Sequence, residues 1–502
     1  DIGRIEVLRG AQSTLYGSQA IGGVVNIISV QPGKPFEADL QLEGGGLDSY
    51  SVKGGAGGKD GALTWRLGGG FTTTDGVSAY SPGTESDGYE NRSLHARFGY
   101  AFSDAVQVDL RSFYTFGDAE FDAFNADAPN RSENESWLNY VGLNFTLAER
   151  LKNRIAYART DITRLSFDES AARELQPVTF DARGKTDRFE YQGTLTFRDG
   201  WFAVFGVEHA ENEMRTASPT LENRRPTPIR ASDNTTGLYG QLNIEPIKGL
   251  TLTGGIRQED HSTFGGSTVG SASVAWTPNN GYTVLRASWA EGFKAPSLYQ
   301  LYSEYGNTAI APEKAESWDI GFEQHLFHAL SLSGVYFNRK TTNLINFANC
   351  SAEEANPLCD DGRFGFYDNI GRAKVEGVEL GASLYLGPFT ASANYTYLDA
   401  KNASAGDPAR GNRLARRAQD TFIATASYVW PFKLTTAASV RIVGDSFNDV
   451  ANMQVVDGYT LIDLRASYPV SETVEVYGRV ENLFDEKYET VIDYGTLPRV
   501  FH

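Results

Sequence analysis

Long hydrophobic runs, sulfur-containing residues and positive charge are all scarce in this chain of 502 residues. No run of 18 apolar residues occurs, which excludes a membrane-spanning helix. Lys and Arg total 45 against 63 Asp and Glu, so the net charge is −18. Because affinity for nucleic acid comes from Lys and Arg, a chain this acidic is not expected to bind nucleic acid.

Glycine and aromatic residues are abundant, with 52 Gly, 25 Tyr and 29 Phe. Apolar and polar residues alternate with a period of two throughout the chain, as in residues 389–397, where the odd positions are apolar or aromatic. This period is typical of β-strands that bury one face. The polar face also contains charges, as in residues 474–481, which favours a wet interior over the dry core of a sandwich.

The connections between these segments differ in length. Some are short turns such as Asp60-Gly61 and Asp199-Gly200, whereas others are long and polar. The long segments are predicted at 75–91, 117–135, 166–182, 214–231, 292–314, 342–362 and 400–412. Short turns at one end and long loops at the other are typical of outer-membrane barrels, which have even strand numbers in bacteria.

About 21 strand-like segments lie between residues 37 and 482, and a further strand is predicted near Arg499. The sequence therefore predicts an all-β fold, a transmembrane barrel of about 22 antiparallel strands in the outer membrane of a Gram-negative bacterium. A soluble propeller or tandem sandwich is the alternative, but no blade-like repeat recurs at a fixed spacing.

The first residues do not follow the barrel pattern. Small residues at 16–23 precede the apolar run 24–28, which predicts a strand buried on both faces, and residues 31–35 form a linker. We therefore divide the chain into a small N-terminal piece, 1–35, and a barrel, 36–502, whose last strand is incomplete. The chain begins without Met or a signal peptide, so we expect a fragment cut at both ends.

Two stretches resemble TonB-dependent outer-membrane receptors. Residues 1–29 resemble the end of the plug domain of that family, and residues 480–490 are similar to the stretch before its last strand. Gly3 and Ala11 depart from the family, which usually has an acid and a proline there. The residues of the plug motif are Arg4, Arg9, Gly10, Tyr16, Gly17, Gly22, Gly23 and Asn26.

Within the family, residues 291–298, 369–379 and 414–418 look most like the cobalamin receptor subfamily, although parts of them also occur in siderophore and haem receptors. The resemblance implies a monomeric transporter in outer-membrane lipid, with a barrel closed by a plug. It would import a small-molecule metal complex, most similar to cobalamin, using energy from the TonB complex. The TonB box and most of the plug would lie in a missing N-terminal segment, so this fragment would not transport and would leak or fail to fold.

An acidic stretch at 116–127 is a candidate metal site, with Asp118, Asp122 and Asp127 as ligands. Oxygen ligands suit calcium, and the resemblance to cobalamin receptors implies a structural calcium in such a loop. A solvated acidic loop is the alternative. No catalytic cofactor is expected.

Cys350 and Cys359 lie in one predicted extracellular loop, where oxidising conditions favour a disulfide over two free thiols. Tyr302, Tyr305 and Asn307 are candidates for gripping a ligand through apolar contact and hydrogen bonds, or else residues of the membrane-surface girdle.

Arg410, Arg413, Arg416 and Arg417 form a dense basic cluster. The last three are candidate ligand-binding residues for an anion such as a ferric siderophore, and pairing with plug carboxylates is the alternative. No motif or triad for catalysis is present, so an enzyme is not expected, and a passive channel is disfavoured by the plug-like residues.

Overall fold

The computed structural model describes residues 2–123, 125–350, 356–360 and 362–502. Within these residues, 22 antiparallel strands close into one barrel, so the predicted fold class is confirmed. The barrel strands are β3 (Glu37–Gly45), β4 (Ser49–Asp60), β5 (Leu63–Val77), β6 (Asp87–Ser103), β7 (Val106–Ala123), β8 (Ala126–Leu147), β9 (Leu151–Asp168), β10 (Val178–Arg198), β11 (Trp201–Ala217), β12 (Ile229–Ile247), β13 (Leu250–His261), β14 (Gly265–Trp276), β15 (Thr283–Lys294), β16 (Glu313–Leu326), β17 (Leu330–Thr342), β20 (Arg372–Leu386), β21 (Phe389–Asn402), β22 (Asp420–Val429), β23 (Thr435–Val443), β26 (Tyr459–Pro469), β27 (Glu475–Glu481) and β28 (Val500–Phe501).

The barrel closes between its first and last parts. β28 pairs with β27 through Val480 and Glu481, and the amide of Gly46 donates to the carbonyl of Phe501 across the seam at 2.8 Å. Arg479 also bonds Glu43 with both guanidinium ends, at 2.7 and 3.0 Å. This charged, bidentate pair links β27 to β3 across the short strand β28.

Six smaller elements accompany the barrel strands, besides two short α-helices and single-turn 3₁₀ helices. They are the hairpin β1 (Ile2–Arg9) and β2 (Gly23–Ser29), the hairpin β18 (Ile345–Asn349) and β19 (Gly365–Asn369), and the short pair β24 (Ser446–Phe447) and β25 (Val455–Val456). The two α-helices are α1 (Ser13–Tyr16) and α2 (Leu298–Tyr302), and the 3₁₀ turns are Ser18–Ala20, Ala171–Arg173, Asn279–Gly281 and Pro357–Cys359. No described helix is long and apolar enough to cross a membrane.

The long connections lie at one end of the barrel, which we call the long-loop rim. It comprises residues 78–86, 169–177, 218–228, 295–312, 343–371, 403–419, 444–458 and 482–499. The opposite end has turns of two to six residues, such as 61–62 and 277–282. Aromatic pairs at the short-turn end include Tyr100 with Phe102 and Tyr428 with Trp430, each 4.9 Å apart between ring centroids.

One predicted loop is wrong. Residues 117–135 belong mostly to β7 and β8, which stay paired as far as Ala123 and Ala126. β8 has 22 residues, about twice the 9–11 residues that a strand needs to cross a bilayer. The hydrogen-bonded ladder satisfies the backbone of this polar stretch, so the strands extend past the membrane in place of a flexible loop.

The N-terminal piece, residues 2–29, packs against the barrel wall. In the segment 11–21, Ala11, Ser13 and Ile21 are buried against β15 and β16. The amide of Ala11 donates to Ser317 Oγ at 3.2 Å, and the amide of Phe293 donates to Ser13 Oγ at 3.4 Å. By contrast, β2 is not buried on both faces as predicted, since Val25 and Ile27 are at least 60% exposed. Among the described strands, β2 pairs only with β1, which leaves one face uncovered.

Candidate functional site

The plug-motif residues hold the N-terminal piece in two ways. Arg4 Nε lies 2.7 Å from Glu6, and Asn26 bonds the same carboxylate at 3.1 Å, which ties β1 to β2. Arg9 forms an ion pair with Glu379 on the wall. Gly10, Gly17 and Gly23 have positive φ angles of 78°, 79° and 143°, which favour glycine. Gly22 lies beside Arg339, and Tyr16 borders a cavity described next.

That cavity, of about 330 Å³, lies between residues 16–19 and the wall. Its barrel side includes Asp233, Glu259 and His261, all buried, and residues 295–299 cover it from the long-loop rim. Asp233 accepts from Asn212 at 2.7 Å and lies 3.5 Å from His261 Nε2. The cavity is at the small end of the range for ligand pockets, so it fits part of a bulky ligand and not the whole.

The segment over this cavity is ordered by a capping box. Ser297 Oγ accepts from the amide of Gln300 at 3.2 Å, and the Gln300 side chain accepts from the amide of Ser297 at 2.9 Å. Both bonds satisfy amides that α2 would otherwise leave unpaired at its start. The reciprocal pair fixes the position of the next side chains, including Tyr299, above the cavity.

Aromatic rings connect this segment to the hairpin β18–β19. Tyr299 lies 6.2 Å from Tyr367, Tyr305 lies 5.5 Å from Phe347, and Phe347 lies 5.4 Å from Tyr367, all between centroids. Burial raises the pKa of the Tyr299 and Tyr367 phenols, so both stay neutral at ordinary pH. Neutral aromatic faces with hydroxyl groups suit contact with a large apolar ring system.

The predicted residues of this loop take different positions. Tyr305 belongs to the aromatic group, and Tyr302 is half-buried at the end of α2. Asn307 is 6% exposed, donates to the carbonyl of Tyr367 at 3.0 Å and accepts from the amide of Ala309 at 2.9 Å. Its amide therefore holds the loop against the hairpin. Tyr299 was missed, although the spacing Ser297-x-x-Gln300 signals the helix that positions it.

A cluster of carboxylates lies at the same rim. Oxygens of Glu85, Asp87 and Asp122 all lie within 4.8 Å of one another. Asp122 also accepts from the amides of Tyr80 at 2.6 Å and Ala128 at 2.9 Å, and so joins loop 78–86 to the β7–β8 turn. The hydrogen bond to Asp122 and the charges of the other acids raise the pKa of Glu85. Crowded oxygens that repel one another in this way fit a calcium ion.

The other two predicted calcium ligands do not belong to this trio, although Asp127 lies next to it. Asp118 lies 3.0 Å from the guanidinium of Arg131, and Asp127 accepts from the amide of Thr84 at 3.2 Å. Glu85 and Asp87 were missed because they are far from Asp122 in sequence. They reach it because β6, which begins at Asp87, pairs with β7.

The remaining predicted residues also lie at the long-loop rim. Cys350 and Cys359 form a disulfide with their Cα atoms 5.7 Å apart. Arg413, Arg416 and Arg417 lie together in loop 403–419, where Arg413 Nη2 lies 3.4 Å from the carbonyl of Arg417. A second cavity, of about 620 Å³, is bordered by Glu85, Asp457 and Tyr488.

The geometry agrees with comparisons to known proteins. Residues 38–483 match the family model "TonB dependent receptor-like, beta-barrel", and residues 1–24 match "TonB-dependent Receptor Plug Domain". The vitamin B12 transporter BtuB of Photobacterium profundum is 28% identical over 513 residues, which cover 100% of this chain and 78% of that protein.

Solved structures share the fold at lower identity. A variant of the ferric enterobactin receptor PfeA of Pseudomonas aeruginosa has a TM-score of 0.81 at 18% identity, covering 100% of this chain and 84% of that chain. The FrpB iron transporter of Neisseria meningitidis (F3-3 variant) has a TM-score of 0.81 at 17% identity, with coverages of 100% and 86%. The chain therefore belongs to the TonB-dependent receptors, which are transporters of the Gram-negative outer membrane and not enzymes, and use no catalytic cofactor.

Proposed function

We propose that this transporter imports cobalamin. The observation that supports this most is the match to a vitamin B12 transporter over the whole chain, at 28% identity. The two solved structures described above are 18% and 17% identical, so they indicate the fold and not the cargo.

The aromatic group at the long-loop rim is consistent with such a cargo. Tyr299, Tyr305, Phe347 and Tyr367 offer neutral rings and hydroxyl groups, and a corrin is a large ring system with many amide arms. Below them lies the cavity between residues 16–19 and the wall. It is lined by buried Asp233 and Glu259, whose carboxylates can accept hydrogen bonds from an amide arm of the cargo. We therefore place the cargo between loop 295–312 and residues 16–19.

Calcium is part of this proposal. Glu85, Asp87 and Asp122 would hold the ion, in place of the predicted set Asp118, Asp122 and Asp127. Binding would neutralise the repulsion among the three carboxylates and fasten loop 78–86 to the β7–β8 turn. The ion would thus order one side of the rim before the cargo binds.

A ferric siderophore is the second candidate cargo, because many of these complexes are anionic and loop 403–419 presents four arginines. Haem is a further alternative, because it is a large ring system, as the corrin of cobalamin is. A passive channel is not favoured, because residues 1–24 match a plug-domain model and the segment 11–21 is buried against the wall. In either case we propose that residues 1–35 are the C-terminal part of a plug domain, that residues 36–502 form the barrel in outer-membrane lipid, and that the protein is a monomer.

Binding of labelled cyanocobalamin to the purified receptor in detergent tests the proposal. We expect tight binding that weakens at least tenfold when calcium is chelated, and the same loss with Asp122→Asn. Asp199→Asn, in a turn at the opposite rim, is the matched control and should bind as the wild type does. Tight binding of a ferric siderophore without any binding of cobalamin would overturn the assignment.

A further inference from the structure

The basic cluster of loop 403–419 brings four arginines into one loop of the long-loop rim. Among the described residues, no carboxylate lies within ion-pair distance of Arg410, Arg413, Arg416 or Arg417, although the chain has a net charge of −18. Arg131, by comparison, contacts three carboxylates between 2.5 and 3.0 Å away. Four adjacent positive charges without a partner repel one another and attract an anion.

Three of the four acids of loops 403–419 and 444–458 accept hydrogen bonds from other groups. Asp407 accepts from the amide of Ala409 at 2.8 Å and from Asn402 at 2.7 Å. Asp445 accepts from the amide of Gly458 at 2.7 Å, and Asp449 accepts from the amide of Met453 at 3.0 Å. These carboxylates cap turns of the backbone, so they shape the loops without neutralising the arginines.

The loop that contains the arginines is rigidly attached to its neighbour. The amide of Arg413 donates to Asn452 Oδ1 at 2.8 Å, and Asn452 Nδ2 donates back to the carbonyl of Arg413 at 2.9 Å. The amide of Arg416 donates to the carbonyl of Phe447 at 2.6 Å. Loops 403–419 and 444–458 therefore form one unit, held together by backbone and amide hydrogen bonds.

The guanidinium groups of Arg413 and Arg417 are also oriented by contacts. Arg413 lies over the ring of Phe447, 5.3 Å from its centroid, and donates to the carbonyl of Asp445 at 3.2 Å. Arg417 donates to the carbonyl of Arg416 at 3.2 Å. Each guanidinium has five N–H donors, so these contacts leave donors free, and the side chains of Arg416 and Arg417 are exposed. A guanidinium group that is already oriented loses less conformational freedom on binding an oxyanion than a mobile side chain does.

We infer that loops 403–419 and 444–458 form a phosphate-binding site at the extracellular rim, with Arg413, Arg416 and Arg417 as its donors. Phosphate has the several acceptor oxygens that adjacent guanidinium forks can share. Two sources offer this group at the outer surface: the phosphodiester of a nucleotide-bearing cargo and the phosphates of the outer-leaflet glycolipid. The first source rests on the proposed function, whereas the second does not depend on it.

The variant Arg416→Gln/Arg417→Gln removes two exposed donors. Its matched control is Arg224→Gln/Arg225→Gln, which makes the same charge change at exposed positions in loop 218–228 of the same rim. Arg413→Lys is a second variant that keeps the positive charge but loses the paired N–H donors of the guanidinium group. Purified receptors are compared for binding of cyanocobalamin, for binding of cobinamide, which lacks the phosphodiester, and for retention of lipid A with and without its phosphates.

The arms of this experiment separate the two sources. If the cargo supplies the phosphate, cyanocobalamin should bind at least about tenfold more weakly to the variant, since at least one charge-assisted contact is lost, while cobinamide binding is unchanged. If the glycolipid supplies it, the variant should lose phosphorylated lipid A selectively. If the wild type binds neither corrinoid, the proposed function is contradicted. The phosphate site is then tested by the retention of lipid A. Equal behaviour of the variant and the control in every arm would overturn the inference.

Discussion

Arg257 on the barrel wall lies directly against Gly17 of the plug segment. A Cβ atom on Gly17 would lie 3.1 Å from Arg257 Nη2, and the φ angle of Gly17 is +79°. Arg257 is held in place by Glu259, whose carboxylate accepts from Nε at 2.7 Å. The wall thus fixes a charged group where the plug has no side chain, which makes glycine the residue that fits this contact.

We therefore expect Gly17→Ala to loosen the plug segment from the wall. A side chain at this φ costs about 1 kcal/mol, and the close contact with Arg257 adds to that. Limited proteolysis should cut residues 11–22 faster in the variant while the barrel stays intact. Gly33→Ala is the control, because Gly33 has open space around it and no positive φ. Equal cutting rates in the two variants would contradict the role of this contact.

The Arg257–Glu259 pair itself provides a second prediction. Their side chains are 2% and 6% exposed, and without Glu259 the buried guanidinium keeps only the longer contact to Glu208, 3.7 Å away. We expect Glu259→Ala to lower the free energy of unfolding by about 3 kcal/mol, the lower end of the range for a broken buried pair. Urea titration of the refolded barrel measures this change.

The double variant Arg257→Met/Glu259→Met is the informative control for this pair. Replacing both charges with apolar groups of similar length removes the cost of the unpaired charge, so most of the stability should return. If the double variant is as unstable as Glu259→Ala, the loss comes from packing and not from the charge.

The barrel could be predicted from sequence because its signal is local. Alternation within a single strand, such as 389–397, is enough to assign it, and β21 spans Phe389–Asn402 as expected. Strand β28, predicted near Arg499, begins at Val500. The extent of β7 and β8 was not predictable in the same way, because polar residues at 117–135 stay in a strand only when a partner strand is available to them.

The groups of residues at the rim could not be predicted in this way, because they depend on contacts between strands that sequence spacing does not encode. Asp122 was predicted with its neighbours Asp118 and Asp127, but its closest carboxylates come from Glu85 and Asp87 on the preceding hairpin. Such groupings depend on the register of β6 with β7, which a single-strand pattern leaves undefined. The amide of Asn307 illustrates the same limit, since its bond to Tyr367 spans 60 residues.

The disulfide Cys350–Cys359 is expected to stabilise its loop and not the barrel. It closes a short loop of the rim next to the hairpin β18–β19, which also contacts Tyr305 and Asn307. Replacing both cysteines with serine should cost the hairpin about 2 kcal/mol on the chain-entropy model. Protease cutting within 343–371 should become faster, as it should in the wild type under reductant. Unchanged cutting would indicate that the aromatic contacts alone hold the hairpin.

The turn at Asp407 is expected to depend on pH. Hydrogen bonds from Asn402 and from the amide of Ala409 lower the pKa of Asp407 below its usual value. A lowered pKa means that the carboxylate stabilises the turn at pH values above about 4, and that this contribution is lost as the pH falls through the lowered pKa.

Hydrogen exchange of the Ala409 amide, which donates to Asp407 at 2.8 Å, measures this turn directly. Asp407→Asn keeps an acceptor oxygen without a titratable proton, so the ratio of exchange rates between the two proteins cancels the intrinsic effect of pH. We expect protection in the wild type to exceed that in the variant near neutral pH, and the difference to vanish in acid. A ratio that stays constant with pH would show that the Asp407 charge does not hold the turn, and the arginine loop would then keep its shape through its other hydrogen bonds, including those to Asn452 and Phe447.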